Sequence, residues 1–329
     1  MNIEASCQVG AWYKLEAFDH ATNQARNLTD WFHNLVTDVG LDFFKNTQAA
    51  TGTGANVVYT HCAVSADNTP PAFSNTSLDQ LVAVTNTTLT VAGSYGSGYQ
   101  QATETDPHYW WLRTTYLFPE GVAQGNLSKI GLIRRAGNVD NLISAALIKD
   151  TAGNPTTISL QPTEELRAVV EFRIYPSTVN VLEDTVNIVD GAGVVKSTHQ
   201  IRMVPRKETL SLSDHTYKAT LMSLFTYSQR YLAFYQNGTV TDYNNVNLNG
   251  QSTSKSTSSI LNDINDGVAR QSTVTATLAT SEMNTGGVGG MVVRGGISAW
   301  NIAINPPLPK TSAYQLTFSF TEKVSRYTG

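Results

Sequence analysis

The stretch Pro107 to Arg135, PHYWWLRTTYLFPEGVAQGNLSKIGLIRR, decides the fold class. It opens with ten large β-formers, Tyr109 to Phe118. One parity carries Trp110, Leu112, Thr114, Tyr116 and Phe118 and grows more apolar toward its end; the other carries Tyr109, Trp111, Arg113, Thr115 and Leu117. Side chains alternate across a strand, so this pattern predicts a strand with one buried and one mixed face. Pro119-Glu120-Gly121 stops it, because proline donates no ladder hydrogen bond and glycine turns cheaply. After the polar Gln124-Gly125-Asn126, a second strand is expected over Leu127–Ile133. The adjacent Trp110 and Trp111, two of the five tryptophans, are expected to anchor the core of the first domain.

Outward from this stretch the same alternation recurs about every ten residues, the mark of a sandwich or barrel. Trp12–Phe18 reads as a strand and Ala25–Phe32 as its return. Thr37 is a good N-cap for a short helix over Asp38–Phe44. Val57–Val64 and Val82–Val91 read as strands, with one helical turn over Ser77–Leu81, and Gln48–Asn56 and Gly93–Asp106 as loops. Asn141–Lys149 is a short apolar strand, and Glu165–Tyr175 puts Leu166, Ala168, Val170, Phe172 and Ile174 on one face. A boundary is placed near Pro176 to Asp184, dividing the chain into 1–180 and 181–329. Beyond it, Asp190-Gly191-Ala192-Gly193 predicts a hairpin turn after the strand Thr185–Val189. Further strands are expected at His199–Pro205, Tyr231–Tyr235, Val274–Leu278, Gly290–Arg294 and Tyr314–Val324. Leu221–Ser228 fits strand or helix, and Gln251–Ser259 reads as an exposed low-complexity loop. The expected class is all-β: two β-sandwich-like domains, with short helices in the first.

Bulk composition narrows the function. The 329 residues are 41% hydrophobic, enough for packed cores, but only 15% charged, against roughly 25% in ordinary soluble domains. A net charge of −4 with no basic cluster argues against nucleic-acid binding. No run approaches the ~20 apolar residues of a membrane span. The opening MNIEASCQVGAWYKLEAF lacks the basic and apolar regions of a secretory signal, so synthesis in a cytoplasm and a soluble product are expected. Cys7 and Cys62, the only cysteines, are expected to be buried and reduced.

Candidate chemistry is sparse. The histidines, His20, His33, His61, His108, His199 and His215, show no metal-ligand spacing, and His61 and Cys62 should point to opposite faces. No GxSxG elbow is present. The carboxylate pairs Glu164-Glu165 and Glu183-Asp184 read as solvated strand-edge charges, although a glycosidase would need two carboxylates across a cleft. The glycine-rich segment Gly286–Gly296 lacks the Walker Lys-Ser/Thr and reads as loops flanking a strand. Tyr95, Tyr99 and Tyr109, and Tyr227, Tyr231, Tyr235 and Tyr243, either stack on sugars or pack in cores and subunit interfaces, and packing is the expectation. No catalytic residue, cofactor or metal site is expected.

Gly10–Phe18 (GAWYKLEAF) followed by Asp30–Asp42 (DWFHNLVTDVGLD) resembles the opening of a group of tailed-bacteriophage virion proteins described as tail-fibre or minor structural proteins. His61-Cys62-Ala63-Val64, Thr69-Pro70-Pro71 with Leu78 and Leu81, and Tyr116–Gly121 with Gly125–Gly131 match further motifs in order. So do Ala146–Asp150, Gly153–Ile158 and Glu171–Pro176. Where the pattern has VGSG, this chain has Val64-Ser65-Ala66-Asp67. The resemblance spans about residues 9 to 178. It implies a non-enzymatic virion component of tail fibre, collar or baseplate, made in the host bacterial cytoplasm. The first domain would attach to the particle; the second would extend outward or contact a neighbour. Expected partners are copies of the chain, as a homotrimer or other cyclic homo-oligomer, and other tail, neck or capsid proteins. Alternative readings are a receptor-binding protein for host surface glycans and a capsid decoration protein.

Overall fold

A computed structural model of the chain describes residues 2–45, 60–89, 95–100, 108–136, 139–178, 180–206, 231–242, 245–256, 269–294 and 298–328. The first half runs β1 (Asn2–Asp19), β2 (Gln24–Asn27), β3 (Phe32–His33), β4 (Leu35–Val36) and the helix α1 (Asp38–Lys45). It continues through β5 (His61–Ser65), β6 (Leu81–Thr85), β7 (Tyr95–Gln100), β8 (Tyr109–Phe118) and β9 (Gly125–Leu127). Then come β10 (Lys129–Ala136), β11 (Val139–Leu147), β12 (Ile158–Leu160) and β13 (Glu164–Pro176). The second half holds β14 (Leu182–Val189), β15 (Val195–Pro205), β16 (Tyr231–Val240) and β17 (Val246–Ser256). It ends with β18 (Ala269–Leu278), β19 (Val288–Arg294), β20 (Ala299–Leu308) and β21 (Leu316–Arg326). The fold is all-β. Among the described residues no helix is long and apolar enough to cross a membrane.

One long sheet, ordered β18-β21-β1-β13-β8-β7 with β2 and β3 on β1, joins the two halves. A five-stranded sheet, β4-β11-β10-β5-β6, packs on its inner face over one core. A six-stranded sheet, β14-β15-β20-β19-β16-β17, packs over another. The alternation of β1 places Val9, Ala11, Tyr13, Leu15 and Ala17 in the first core and Ile3 and Ala5 in the second. This is possible because Asn2–Val9 pairs in parallel with Ser319–Arg326, at the far end of the chain. The division at residue 180 falls between β13 and β14, yet β1 contributes to both cores.

Between the cores runs a polar seam. Arg270, 2% exposed, pairs with Asp42 of α1 at 2.6 Å, and Arg326 pairs with Asp38 and donates to the Val36 carbonyl. Glu322, fully buried, accepts from the Ser298 N–H and the Ser298 hydroxyl, and Cys7 Sγ lies 3.8 Å away. Each buried charge therefore has partners, as burial requires.

Several local expectations are met for their stated reasons. Thr37 Oγ1 accepts the Gly40 N–H at 3.0 Å and caps α1. Gly40 is needed there, since a Cβ would lie 2.2 Å from the Ile143 carbonyl oxygen. Leu166, Ala168, Val170, Phe172 and Ile174 are all buried. The Asp190–Gly193 turn closes with Asp190 N–H on the Val194 carbonyl at 2.9 Å. Cys7 and Cys62 are buried and unbridged.

Other expectations are corrected. Of the adjacent pair, half-buried Trp110 packs against the first core as expected and half-buried Trp111 does not; the largest fully buried residues of that core are Tyr13, Tyr116 and Phe118, and the fully buried tryptophan is Trp300 of the second core. The second strand expected over Leu127–Ile133 is split at Ser128 into β9, which pairs with β12, and β10, which joins the five-stranded sheet, while β8 lies in the long one, so the chain crosses between layers. Ser77–Leu81 forms bends and no helical turn, with Gln80 at φ 47. Tyr95–Gln100, read as loop, is an edge strand on β8, and Gln251–Ser256 is strand in β17. The expected return strand Ala25–Phe32 is broken into β2 and β3, because Thr29 turns inward to accept the Leu15 N–H. β20 carried no sequence expectation. Residues 48–56, 57–59, 221–228 and 257–259 lie outside the described residues.

Candidate interaction surface

The outer face of the long sheet holds no apolar core among the described residues. At its first-half end it carries a ladder of aromatic rings and guanidinium groups. Strand register builds it: Trp12 lies opposite Glu171, Glu171 opposite Arg113, and Arg173 opposite Trp111. Glu171 is the centre. Its carboxylate, 3% exposed, accepts from Arg113 at 2.6 Å and from Arg173 at 2.7 Å.

Each arginine then stacks on rings. Arg113 sits 5.0 Å from Trp111 and 5.3 Å from Trp31. Arg173 sits 4.6 Å from Trp12 and 4.3 Å from Tyr109. Guanidinium over an indole or phenol face is favourable, the more so where water is partly excluded. Tyr175 continues the ladder, stacked on Tyr327 at 3.9 Å and 8° and accepting from Trp12 Nε1 at 3.1 Å. His33 packs between Trp12 and Tyr327 at 5.2 and 5.5 Å, over Gly10, where a Cβ would come 2.8 Å from its Nε2. Burial, then the charges of Lys149 and Arg173, push the His33 pKa down to about 4, so the ring is neutral near pH 7.

The sequence-derived candidates fall as follows. Tyr109 belongs to this ladder. Tyr95 and Tyr99 lie in β7, opposite Thr114 and Trp110. Tyr231 and Tyr235 lie in β16, and Tyr227, Tyr243 and His215 are outside the described residues. His61 is half-buried and Cys62 fully buried on the opposite face. Among the described residues no three His, Cys, Asp or Glu side chains gather as metal ligands.

Glu165 is not solvated as expected: it is buried, and it binds Arg167 at 2.6 Å and His20 at 2.9 Å. Glu164 pairs with Arg26, and Glu183 is exposed beside Arg202. The glycine-rich segment holds the expected strand, but it begins at Val288, so Gly289 lies inside β19 and not in the flanking loop. A Cβ on Gly289 would fall 2.4 Å from the Gln236 carbonyl oxygen, so glycine permits the close strand approach.

One catalytic-looking pair appears that the sequence did not single out. His199 Nδ1 donates to the Pro306 carbonyl at 2.6 Å, leaving Nε2 to accept from the Ser197 hydroxyl at 2.7 Å. The ring is 2% exposed, and its orienting partner is a backbone carbonyl and no carboxylate. The pair ties β15 to β20.

The ladder itself was missed as a unit. Its signal lay in the second parity of Glu165–Tyr175, where Arg167, Glu171, Arg173 and Tyr175 alternate with the core face. Comparison of the chain with family models, curated proteins and solved structures finds no match.

Proposed function

We propose that the chain is a non-enzymatic structural component of a tailed-phage particle, of tail-fibre, collar or baseplate type. It assembles through β-rich surfaces with copies of itself and with neighbouring virion proteins. The observation that carries the assembly reading is the outer-face ladder. Trp, Tyr and Arg are the residues that protein interfaces concentrate at their energetic centres. Here their rotamers are held in advance by stacking and by Glu171, which lowers the ordering cost of association. The phage reading rests on the resemblance: Trp12, Trp31, His33, Glu171, Arg173 and Tyr175 all fall within segments that resemble the phage proteins.

Recognition of a host glycan is the second reading, and this geometry favours it less. The guanidinium groups of Arg113 and Arg173 already lie over the tryptophan and tyrosine faces on which a sugar would stack. The test is antibody labelling of the chain on intact virions by electron microscopy. Label on the neck or tail is the expected result. Label over the head would indicate a decoration protein, and label at fibre tips a receptor-binding one. Purified virions with neither label nor peptide of this chain would overturn the proposal.

A further inference from the structure

The terminal strands of the three main sheets differ in how their open edges are protected. An open edge is a template for another strand, and proteins blunt it by shortness, glycine, charge or a bulge. β4 has two residues, and β7 has six, two of them glycine. β6 has five, and its pairing with β5 is bulged. β14 carries Glu183 and Asp184, and its pairing with β15 shifts at Ile188/Val189. β17 is bulged against β16, with Gly250 at φ 85 and Lys255 near its end. β18 has none of these devices. It pairs with β21 over ten residues without a register shift and contains no glycine or proline. Its one charged residue, Arg270, turns inward to Asp42. Among the described residues no strand pairs with its other edge from Gln271 to Leu278, ~26 Å of extended backbone at ~3.3 Å per residue.

The two parities of β18 are distinct. Val274, Ala276 and Leu278 lie in the second core, while Thr273, Thr275 and Thr277 pair on the outer face with Thr321, Ser319 and Thr317 of β21. We infer that this edge pairs antiparallel with the same edge of a second copy, about a twofold axis at the level of Thr275. This deepens the proposed function and rests on its self-assembly part, for which it names the surface. Self-complementarity identifies the occupant. That axis sets Thr275 against Thr275 of the second copy, Thr273 against its Thr277, and Val274 against its Ala276. Parity is kept at every pair, so the hydroxyl ladder crosses the junction and the apolar side chains stay inside. From Gln271 to Leu278 the strand is neutral, so no like charges meet. Strand addition satisfies the open N–H and C=O groups of both edges at once. The same patch is used on both copies, so the contact is isologous and closes at two.

The test uses the full chain in sedimentation velocity over a range of concentrations. Wild type is expected to associate. Thr275→Lys sets two cations face to face across the axis and should weaken self-association by roughly tenfold or more, with strand content by circular dichroism unchanged. Ser319→Lys breaks the same Thr275–Ser319 hydroxyl pair one strand further in and should leave association as it is. Cross-linking gives a readout that does not depend on how well a lysine is tolerated. Thr275→Cys should join two copies through a short bismaleimide, since directly opposed residues bring their Cβ atoms to about 5 Å. Ser319→Cys, three strand spacings or ~15 Å from its counterpart, should not. Cys7 and Cys62 are buried and do not compete. Wild-type oligomers unaffected by Thr275→Lys, or equal cross-linking at 275 and 319, would overturn the inference and leave self-assembly standing. A wild-type monomer at every concentration would remove both.

Discussion

The outer face of the long sheet changes character along its length. At the β13–β8 end it is the ladder of Trp12, Trp31, Trp111, Tyr109 and Tyr175 around Arg113, Arg173 and Glu171. At the β18–β21 end it is a ladder of hydroxyls. Thr273 pairs with Thr321 at 3.0 Å, Thr275 with Ser319 at 3.0 Å and Thr277 with Thr317 at 2.9 Å. The inner faces of both ends are apolar, so burial alone does not explain the contrast. What differs is the cost of removing a partner. A buried carboxylate that holds two cations leaves uncompensated charge when it is lost, whereas a hydroxyl of a cross-strand pair is readily replaced by water. The first end is therefore a preorganised surface, and the second is ordinary sheet.

The comparison breaks most readily at Glu171. Glu171→Ala should cost roughly 3 kcal/mol or more, read as a lower denaturant midpoint, because two guanidinium groups lose their counter-ion. A loss comparable to that of a surface pair would mean that the ladder is decoration.

The next effect is pH-dependent. His33 has a folded pKa of about 4 against an ordinary 6.5, so the unfolded chain takes up the proton first. Its contribution is complete above about pH 6.5 and is lost as pH falls toward 4, by about 3 kcal/mol. His33→Gln should flatten that part of the stability–pH curve; an unchanged slope would place the proton elsewhere.

Thr275→Ala at the other end should cost less than about 1 kcal/mol. A cost equal to that of Glu171→Ala would erase the distinction between the two ends.

Much of the fold was legible because β alternation is local. The core face of β13 follows from five apolar residues at spacing two, and the α1 cap from Thr37 ahead of an apolar pattern. The hairpin at Asp190 follows from its turn residues. The misreadings share one cause. Size alone puts both Trp110 and Trp111 in the core, yet adjacent strand residues point to opposite faces, so Trp110 packs on the core and Trp111 joins the outer ladder. Tyr95–Gln100 and Gln251–Ser256 were read as loops from their polar composition, yet edge strands tolerate such composition because one side faces solvent. The site was less legible than the fold. The outer parity of β13 displayed its Arg, Glu and Tyr residues, but nothing in it named Trp12, Trp31 or Trp111 as their neighbours.

The sequence by itself determined an all-β chain, the positions of most strands and the buried faces of β8 and β13, and it displayed no recognisable catalytic motif. These follow from local alternation, turn chemistry and composition. Only the tertiary structure decided that Asn2–Val9 pairs with Ser319–Arg326, that one sheet serves two cores, and that Glu171 gathers two arginines among tryptophans. Strand pairing is a contest among distant edges, settled by which arrangement buries the most apolar surface while pairing every buried charge. Residues hundreds of positions apart enter that contest together, and no local pattern records its outcome.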